Sequence, residues 1–281
     1  MTTIRSALTE AVDRLCDTTP SARLDAEVLI AHELGRNRSY LRAWPEKTLT
    51  RDETLRIRTA VEKRASGMPI AYLTGKKEFW SREFTVSPSV LIPRPETEEL
   101  VELALSLIPT GAPYRIADLG TGSGAIAVTI AAERSNSQLI ASDLCPRALA
   151  VATANAARHN TINVSFFLSN WFDSIPAMTF DLIVSNPPYI AENDPYLDQG
   201  DVRAEPRTAL TAGDDGLAAL NTIARQAKRR LKPGGRLLLE HGYAQAGALN
   251  NLLSSFGYSN IAAHRDLQGH LRVTSAQIPE Q

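Results

Sequence analysis

Tyr114-Arg115-Ile116-Ala117-Asp118-Leu119-Gly120-Thr121-Gly122-Ser123-Gly124-Ala125-Ile126-Ala127-Val128-Thr129-Ile130-Ala131-Ala132 is the stretch on which the fold turns. Its first six residues read as a short apolar strand, its last eight as a helix-forming run, and the glycines between them as a tight turn that a ligand can approach closely. Strand, glycine-rich turn and helix in that order make a nucleotide-binding βα unit. The spacing is GxGxG with Ala125 next, so it stops short of the pattern typical of dinucleotide binders. Alone the turn is weak evidence, because many doubly wound sheets need one for packing.

Downstream, residues 138–142 read as a second strand ending in Asp143. An acid there is placed to hydrogen-bond a ribose diol, a device that NAD sites share, so it specifies an adenosine-type ribose and not the cofactor. Asp143 also suits an N-cap, with Pro146 in the first turn of the next helix. The alternation continues with a helix from Glu96 to Ile108, a helix over 146–159, strands over 163–168 and 180–185, a helix over 215–231 and a fifth strand at 237–240. Residues 259–264 and 270–276 read as a closing pair of strands. Such alternation predicts an α/β fold with a mostly parallel, doubly wound sheet.

The strand at 180–185 runs directly into Asn186-Pro187-Pro188-Tyr189. Open α/β sheets hold their ligands at the carboxyl ends of strands. Two successive prolines remove two N–H donors and stiffen the backbone, which leaves their carbonyls as acceptors. Asn186 adds a side-chain carbonyl and Tyr189 an aromatic face. A planar –NH2 group fits such a set. An amide nitrogen is a poor nucleophile because its lone pair is delocalised, and acceptors that hold both N–H groups out of the amide plane aim that lone pair at an electrophile. The plain alternative is a proline-rich loop that ends a strand.

Together, the glycine turn, Asp143 and the Asn-Pro-Pro-Tyr tetrapeptide resemble the amino-methyltransferases that use S-adenosyl-L-methionine. Both adenine-N6 and protein glutamine methyltransferases carry that tetrapeptide, and other segments separate them. Val90-Leu91-Ile92-Pro93-Arg94-Pro95-Glu96-Thr97-Glu98 is similar to the IPRPxTE signature of the HemK/PrmC family, the peptide chain release factor glutamine methyltransferases. Glu205-Pro206-Arg207-Thr208-Ala209-Leu210, Gly213-Asp214-Asp215-Gly216-Leu217 and the stretch from Gly75 with Phe79, Phe84 and Val86 resemble that family too. The resemblance implies a Rossmann-like class I methyltransferase domain with an antiparallel last strand, preceded by a small helical bundle and a β-hairpin linker. It implies S-adenosyl-L-methionine as cofactor, held by Gly120, Thr121, Gly122, Ser123, Gly124, Asp143, Trp171 and Asn186. The implied acceptor is the glutamine of the Gly-Gly-Gln motif of class-one peptide chain release factors, gripped by Asn186, Pro187, Pro188 and Tyr189, with Asn186, Pro187 and Tyr189 as the catalytic set. One departure is Asn170, where the family often has an acid before the Trp; it keeps an acceptor for an adenine amino group without the charge. Trp171 reads as an adenine platform or as plain core.

The rest of the chain frames these motifs. Its 281 residues allow one large or two smaller domains, read as 1–74 helical and substrate-recognising, 75–95 a hairpin linker and 96–281 catalytic. In the first, Ile4, Leu8, Val12 and Leu15 and then Leu24, Val28, Leu29 and Leu34 recur at helical spacing, and Thr50 with Glu53 forms a capping box before a third helix. Its basic residues (Arg36, Arg38, Arg42, Arg51, Arg56, Arg58, Lys63, Arg64) read as a solvated face. A formal charge of −1, from 30 basic and 31 acidic residues, weighs against a protein that works by neutralising phosphates, so no direct nucleic-acid contact is expected. No apolar run reaches roughly 18 residues, the start lacks an apolar signal core, and two cysteines, Cys16 and Cys145, suggest neither a disulfide framework nor a metal site. A cytoplasmic, monomeric protein is expected. Arg94 with Glu96 reads as an ion pair or as part of the site, Glu205 as a site residue or an exposed loop acid, and the long polar segment 191–214 as a cover for the acceptor glutamine or a docking surface for the release factor. His241 is set aside as a base, because an amide proton becomes acidic only after methyl transfer and water then accepts it. Rival functions are a glutamine methyltransferase of a ribosomal protein, an adenine-N6 methyltransferase of nucleic acid, and a binding module without turnover.

Overall fold

In the computed structural model, which describes residues 1–280, the chain forms two compact units. One comprises Met1–Lys76 with Asp198–Ala204, the other Lys77–Leu197 with the chain from Glu205 onward.

The first unit is helical: α1 (Ile4–Leu15), α2 (Ala22–Glu33), α3 (Arg38–Ala43), α4 (Arg51–Ala65) and α5 (Ile70–Thr74). Both α1 and α4 begin with reciprocal caps. In α4 the Glu53 N–H donates to Thr50 Oγ1 at 3.2 Å and the Thr50 N–H donates to Glu53 Oε2 at 2.7 Å, as the capping-box reading expects. The apolar stripes of α1, α2 and α4 meet through Ile4, Leu15, Leu29, Ile30 and Ile57. The helices α3 and α5 have six and five residues, too few turns for a period to show in sequence. The basic face needs one correction. Arg64 is only 8% exposed, donating to Asp25 Oδ2 at 2.7 Å and Asp201 Oδ1 at 2.5 Å, while Arg23, Arg38 and Arg42 converge on the buried Glu27. Buried carboxylates demand partners, and the arginines supply them.

The second unit begins one residue into a hairpin of β1 (Lys76–Phe79) and β2 (Arg82–Thr85), whose corner residues Trp80 and Ser81 take φ of 52° and 54°. Phe79 and Phe84 leave it edge to face, ring centres 6.0 Å apart, for the core that holds Leu100 and Ile130. There follow α6 (Thr97–Leu107), β3 (Arg115–Leu119), α7 (Ala125–Glu133), β4 (Gln138–Asp143), α8 (Pro146–Arg158), β5 (Val164–Leu168), β6 (Phe180–Ser185), α9 (Ala218–Ala227), β7 (Leu231–Glu240), α10 (Ala246–Ser255), β8 (Ser259–Arg265) and β9 (Leu271–Gln277). The sheet order is β5-β4-β3-β6-β7-β9-β8. Pairings from β5 to β7 are parallel, and β9 lies antiparallel to both of its neighbours. This is the doubly wound α/β sheet with an antiparallel last strand that the sequence implied. Because β4 and β6 flank β3, the chain reverses direction across the sheet at β3, and such a switch point leaves a crevice at the strands' carboxyl ends.

Two boundaries differ from the sequence reading. The fifth strand starts at Leu231, which pairs with Phe180, and runs through Lys232-Pro233-Gly234-Gly235 with a register shift before Arg236 pairs with Leu182. Pro-Gly-Gly reads locally as a turn, but the neighbouring strand recruits it as a bulge. The preceding helix therefore ends at Ala227. Among the described residues no helix is long and apolar enough to cross a membrane.

Candidate active site

At the switch point the backbone makes the first part of the site. The Gly120 and Thr121 N–H groups both donate to the Ser142 carbonyl, at 2.8 and 2.9 Å, which folds the turn over the end of β4. Gly120, Gly122 and Gly124 have φ of 72°, 55° and 80°, a region L side chains rarely adopt. A Cβ at Gly120 would lie 3.2 Å from the Trp171 ring, and one at Gly124 would lie 3.1 Å from Ala152 Cβ on α8. The first glycine thus lets a ring lie against the turn, and the third lets two helices meet.

Two carboxylates lock this turn. Asp118, fully buried, accepts from Thr121 Oγ1 at 2.7 Å and from the Ala127 N–H at 3.2 Å, tying the turn to the start of α7. Burial pushes its carboxyl up to about 7 despite those donors. Asp143 accepts from the Gly122 N–H at 2.9 Å and the Cys145 N–H at 2.8 Å, and burial raises its pKa as well. Asp143 thus steadies the turn and the start of α8 while lining a cavity of about 400 Å³.

Gly120, Thr121, Gly122, Ser123, Asp143, Trp171, Asn186 and Pro188 all line that cavity. Gly124, Pro187 and Tyr189 do not. Gly124 faces α8, Pro187 is buried, and Tyr189 packs with the core under β6 while its hydroxyl donates to Glu240 Oε1 at 3.3 Å. Trp171 holds φ of 52°, its carbonyl accepting from Ser142 Oγ at 3.1 Å, and Asn170 beside it also lines the cavity. The Asn186 side-chain NH2 donates to Thr97 Oγ1 at 3.1 Å.

Other residues enter the site that strand and helix patterns did not single out. Ser89, Leu91 and Arg94 from the segment before α6, Thr97 at the start of α6, and Thr208 and Ala209 from the long loop line the cavity. Arg94 pairs with Glu205 and not with Glu96, and Glu205 Oε2 also accepts the Ile92 N–H at 3.0 Å. Glu205 is 4% exposed, so the exposed-acid reading is overturned: it clamps one wall of the cavity. The loop's return runs beside the tetrapeptide, with the Ile190 N–H donating to the Leu210 carbonyl and the Ala212 N–H to the Ile190 carbonyl. His241 is buried and engaged at both ring nitrogens, by the Gly242 carbonyl and Thr274 Oγ1, and burial lowers its pKa. Glu240 is the residue least visible in sequence, because it ends an apolar strand with no motif around it.

Comparison with known proteins agrees with this geometry. Residues 6–75 match the family described as PrmC N-terminal domain, and residues 99–199 the Methyltransferase small domain. A release factor glutamine methyltransferase of Shewanella oneidensis is 47% identical over 271 residues, covering 96% of this chain and 94% of that protein. The Escherichia coli protein of the same name is 45% identical over 267 residues, covering 95% and 96%. The chain belongs to the release factor glutamine methyltransferase family. A methyltransferase structure from Pyrococcus furiosus, 18% identical, superposes with a TM-score of 0.54 over 80% of this chain and 98% of that one, a likeness of fold. As a release factor glutamine methyltransferase family member, the chain is an S-adenosylmethionine-dependent methyltransferase. The cavity suits that cofactor: an open glycine turn with no atom within 4 Å of a Cβ at Gly122, a carboxylate for a diol, and a flat indole.

Proposed function

We propose that this chain transfers a methyl group from S-adenosyl-L-methionine to the side-chain amide nitrogen of the glutamine in the Gly-Gly-Gln motif of class-one peptide chain release factors. One observation carries the reading: Asn186, at the end of β6, opens on the same cavity as the glycine turn and Asp143, in a chain similar to release factor glutamine methyltransferases along nearly its whole length. Bound S-adenosylmethionine supplies an electrophilic sulfonium methyl, which passes to the amide nitrogen as the sulfur keeps the bonding pair and the nitrogen gives up a proton to water.

The chain's own residues bind and orient. Gly120 to Ser123 and Asp143 would hold the nucleoside, Asp143 by accepting from the ribose hydroxyls with the lone pairs its backbone donors leave free, while Gly124 lets the turn pack on α8. Trp171 would lie against the adenine and Asn170 would accept from its amino group, both lining the cavity. Asn186 Oδ1 and the Pro187 carbonyl accept from the glutamine –NH2 and turn its lone pair toward the methyl, and the missing N–H groups of Pro187 and Pro188 leave no competing donor. Tyr189 anchors the tetrapeptide from the protein side. Residues 1–74 act as the recognition domain, 75–95 as the linker and 96–281 as the catalytic domain of a monomer working in the cytoplasm. No base is needed, in keeping with a neutral, engaged His241.

The deciding assay is transfer of labelled methyl to a purified class-one release factor beside a copy whose Gly-Gly-Gln glutamine is Ala. Label on the intact factor alone is expected; none on either would redirect the search to a ribosomal-protein glutamine. In the same assay Asn186→Ala is expected to slow transfer about 100-fold or more, with cofactor affinity changed by less than about threefold. Equal loss of both would remove Asn186 from the amide grip.

A further inference from the structure

A buried acid stands behind the amide grip. Glu240, at the carboxyl end of β7, is 1% exposed, and no ion pair holds it among the described residues. Thr97, the first residue of α6 and 4% exposed, favours the ionised form of its carboxylate, and Tyr189 donates its hydroxyl to Oε1 at 3.3 Å. Thr97 in turn accepts the Asn186 NH2 at 3.1 Å. Glu240 Oε2 is buried without a hydrogen-bond partner. A group so costly to bury is unneeded for packing, since an apolar side chain of similar volume is commonly as stabilising.

We infer that Glu240 is a positioning residue for methyl transfer: through Thr97 it dictates which end of the Asn186 amide faces the acceptor, and through Tyr189 it holds the other end of the same tetrapeptide. The inference rests on the glutamine methyl transfer proposed above. The reason is the direction of hydrogen bonding. Once ionised, above its raised pKa of about 7, the Glu240 carboxylate only accepts, so the Thr97 hydroxyl then spends its one proton on it. Thr97 Oγ1 then offers Asn186 lone pairs alone, so Asn186 turns its NH2 to Thr97 and is left with Oδ1 for the cavity. That is the end required to accept an N–H from the glutamine. A neutral amide at 240 breaks the logic: its own NH2 can donate to Thr97, the Thr97 proton is released toward Asn186, and the Asn186 amide can flip to present donors to a donor. Burial pushes the Glu240 carboxyl up to about 7, against the opposing pull of Thr97, Tyr189 and Arg272, which marks the acid as held at a cost.

The test is steady-state methylation of a class-one release factor by the full chain and by Glu240→Gln, Thr97→Val, Thr97→Ser and the double variant Glu240→Gln/Thr97→Val, with cofactor binding and melting temperature measured for each. Glu240→Gln and Thr97→Val are each expected to lower kcat about tenfold or more, with cofactor affinity and the KM for the release factor within about threefold. Thr97→Ser, which keeps the hydroxyl, is expected to stay near the parent, and the double variant to lose no more than either single one, as befits one chain of hydrogen bonds. If Glu240→Gln fails to fold, Thr97→Val carries the comparison. Unchanged kcat in the folded variants, losses that multiply in the double variant, or losses that follow cofactor affinity would each overturn the positioning role while the unmodified chain still methylates. No transfer by the unmodified chain would overturn the proposed function and this inference together.

Discussion

At Gly120 two constraints coincide. Its φ of 72° favours glycine, and the Trp171 ring occupies the space a Cβ would enter at 3.2 Å. Gly120→Ala therefore strains the backbone and pushes the indole off the turn. The expected result is about tenfold weaker S-adenosylmethionine binding, roughly 1.4 kcal/mol, read by calorimetry. Wild-type affinity in this variant would show that the ring and the turn do not shape the cofactor site. The same scale explains why Tyr189 is misjudged by pattern alone. An aromatic at a ligand-binding strand end suggests a stacking face, but the nearest buried acceptor, Glu240, draws its hydroxyl inward.

Among the elements, the loop returning from the tetrapeptide owes its shape to one glycine. Gly216 has φ of 71°, and a Cβ there would sit 2.2 Å from the Tyr189 carbonyl oxygen, which also accepts from Gln245 Nε2 at 2.9 Å. Backbone cannot yield as a flexible side chain does, so the tetrapeptide or the loop must move. Gly216→Ala is expected to lower kcat about tenfold while cofactor affinity holds, because the glycine turn lies on other strands. A variant as active as the parent would mean that the Gly213-to-Leu217 loop does not support the grip. The hairpin shows a related effect: Trp80 and Ser81 take left-handed backbone without a glycine because the buried Phe79 and Phe84 and the Trp80 N–H donating to Glu98 over-determine the corner.

For the molecule as a whole, the buried acids of the sheet set a pH dependence. Asp118 and Glu240 are each raised to about 7, so the folded chain keeps protons that the unfolded chain has already lost. Where both states are protonated these groups contribute nothing; stability falls as pH climbs from the ordinary carboxylate range through about 7, and then levels off. Glu27 acts in the opposite sense, being lowered chiefly by its hydrogen bond from Arg38: its contribution is present above the ordinary carboxylate range and is lost as pH falls through its folded value. Urea unfolding at about pH 5 and pH 8 isolates the first effect. Asp118→Asn is expected to narrow the difference in stability between the two by up to about 3 kcal/mol. An unchanged difference would show that Asp118 ionises normally in the fold.

The sequence by itself determined the sheet, its glycine turn and the tetrapeptide, because each is local: apolar strands, a run of glycines and paired prolines restrict the chain within a few residues of themselves. It also carried the family signature around Arg94 and Thr97, though not what those residues touch. Only the tertiary structure decided that Glu205 leaves solvent to clamp Arg94 and Ile92, that Arg64 is buried against Asp25 and Asp201, that Lys232-Pro233-Gly234-Gly235 joins a strand, and that Glu240 sits behind Asn186. Those outcomes pair residues far apart in the chain. A buried charge is satisfied by whatever partner the fold brings within hydrogen-bond reach, and that partner is set by packing and not by sequence neighbours.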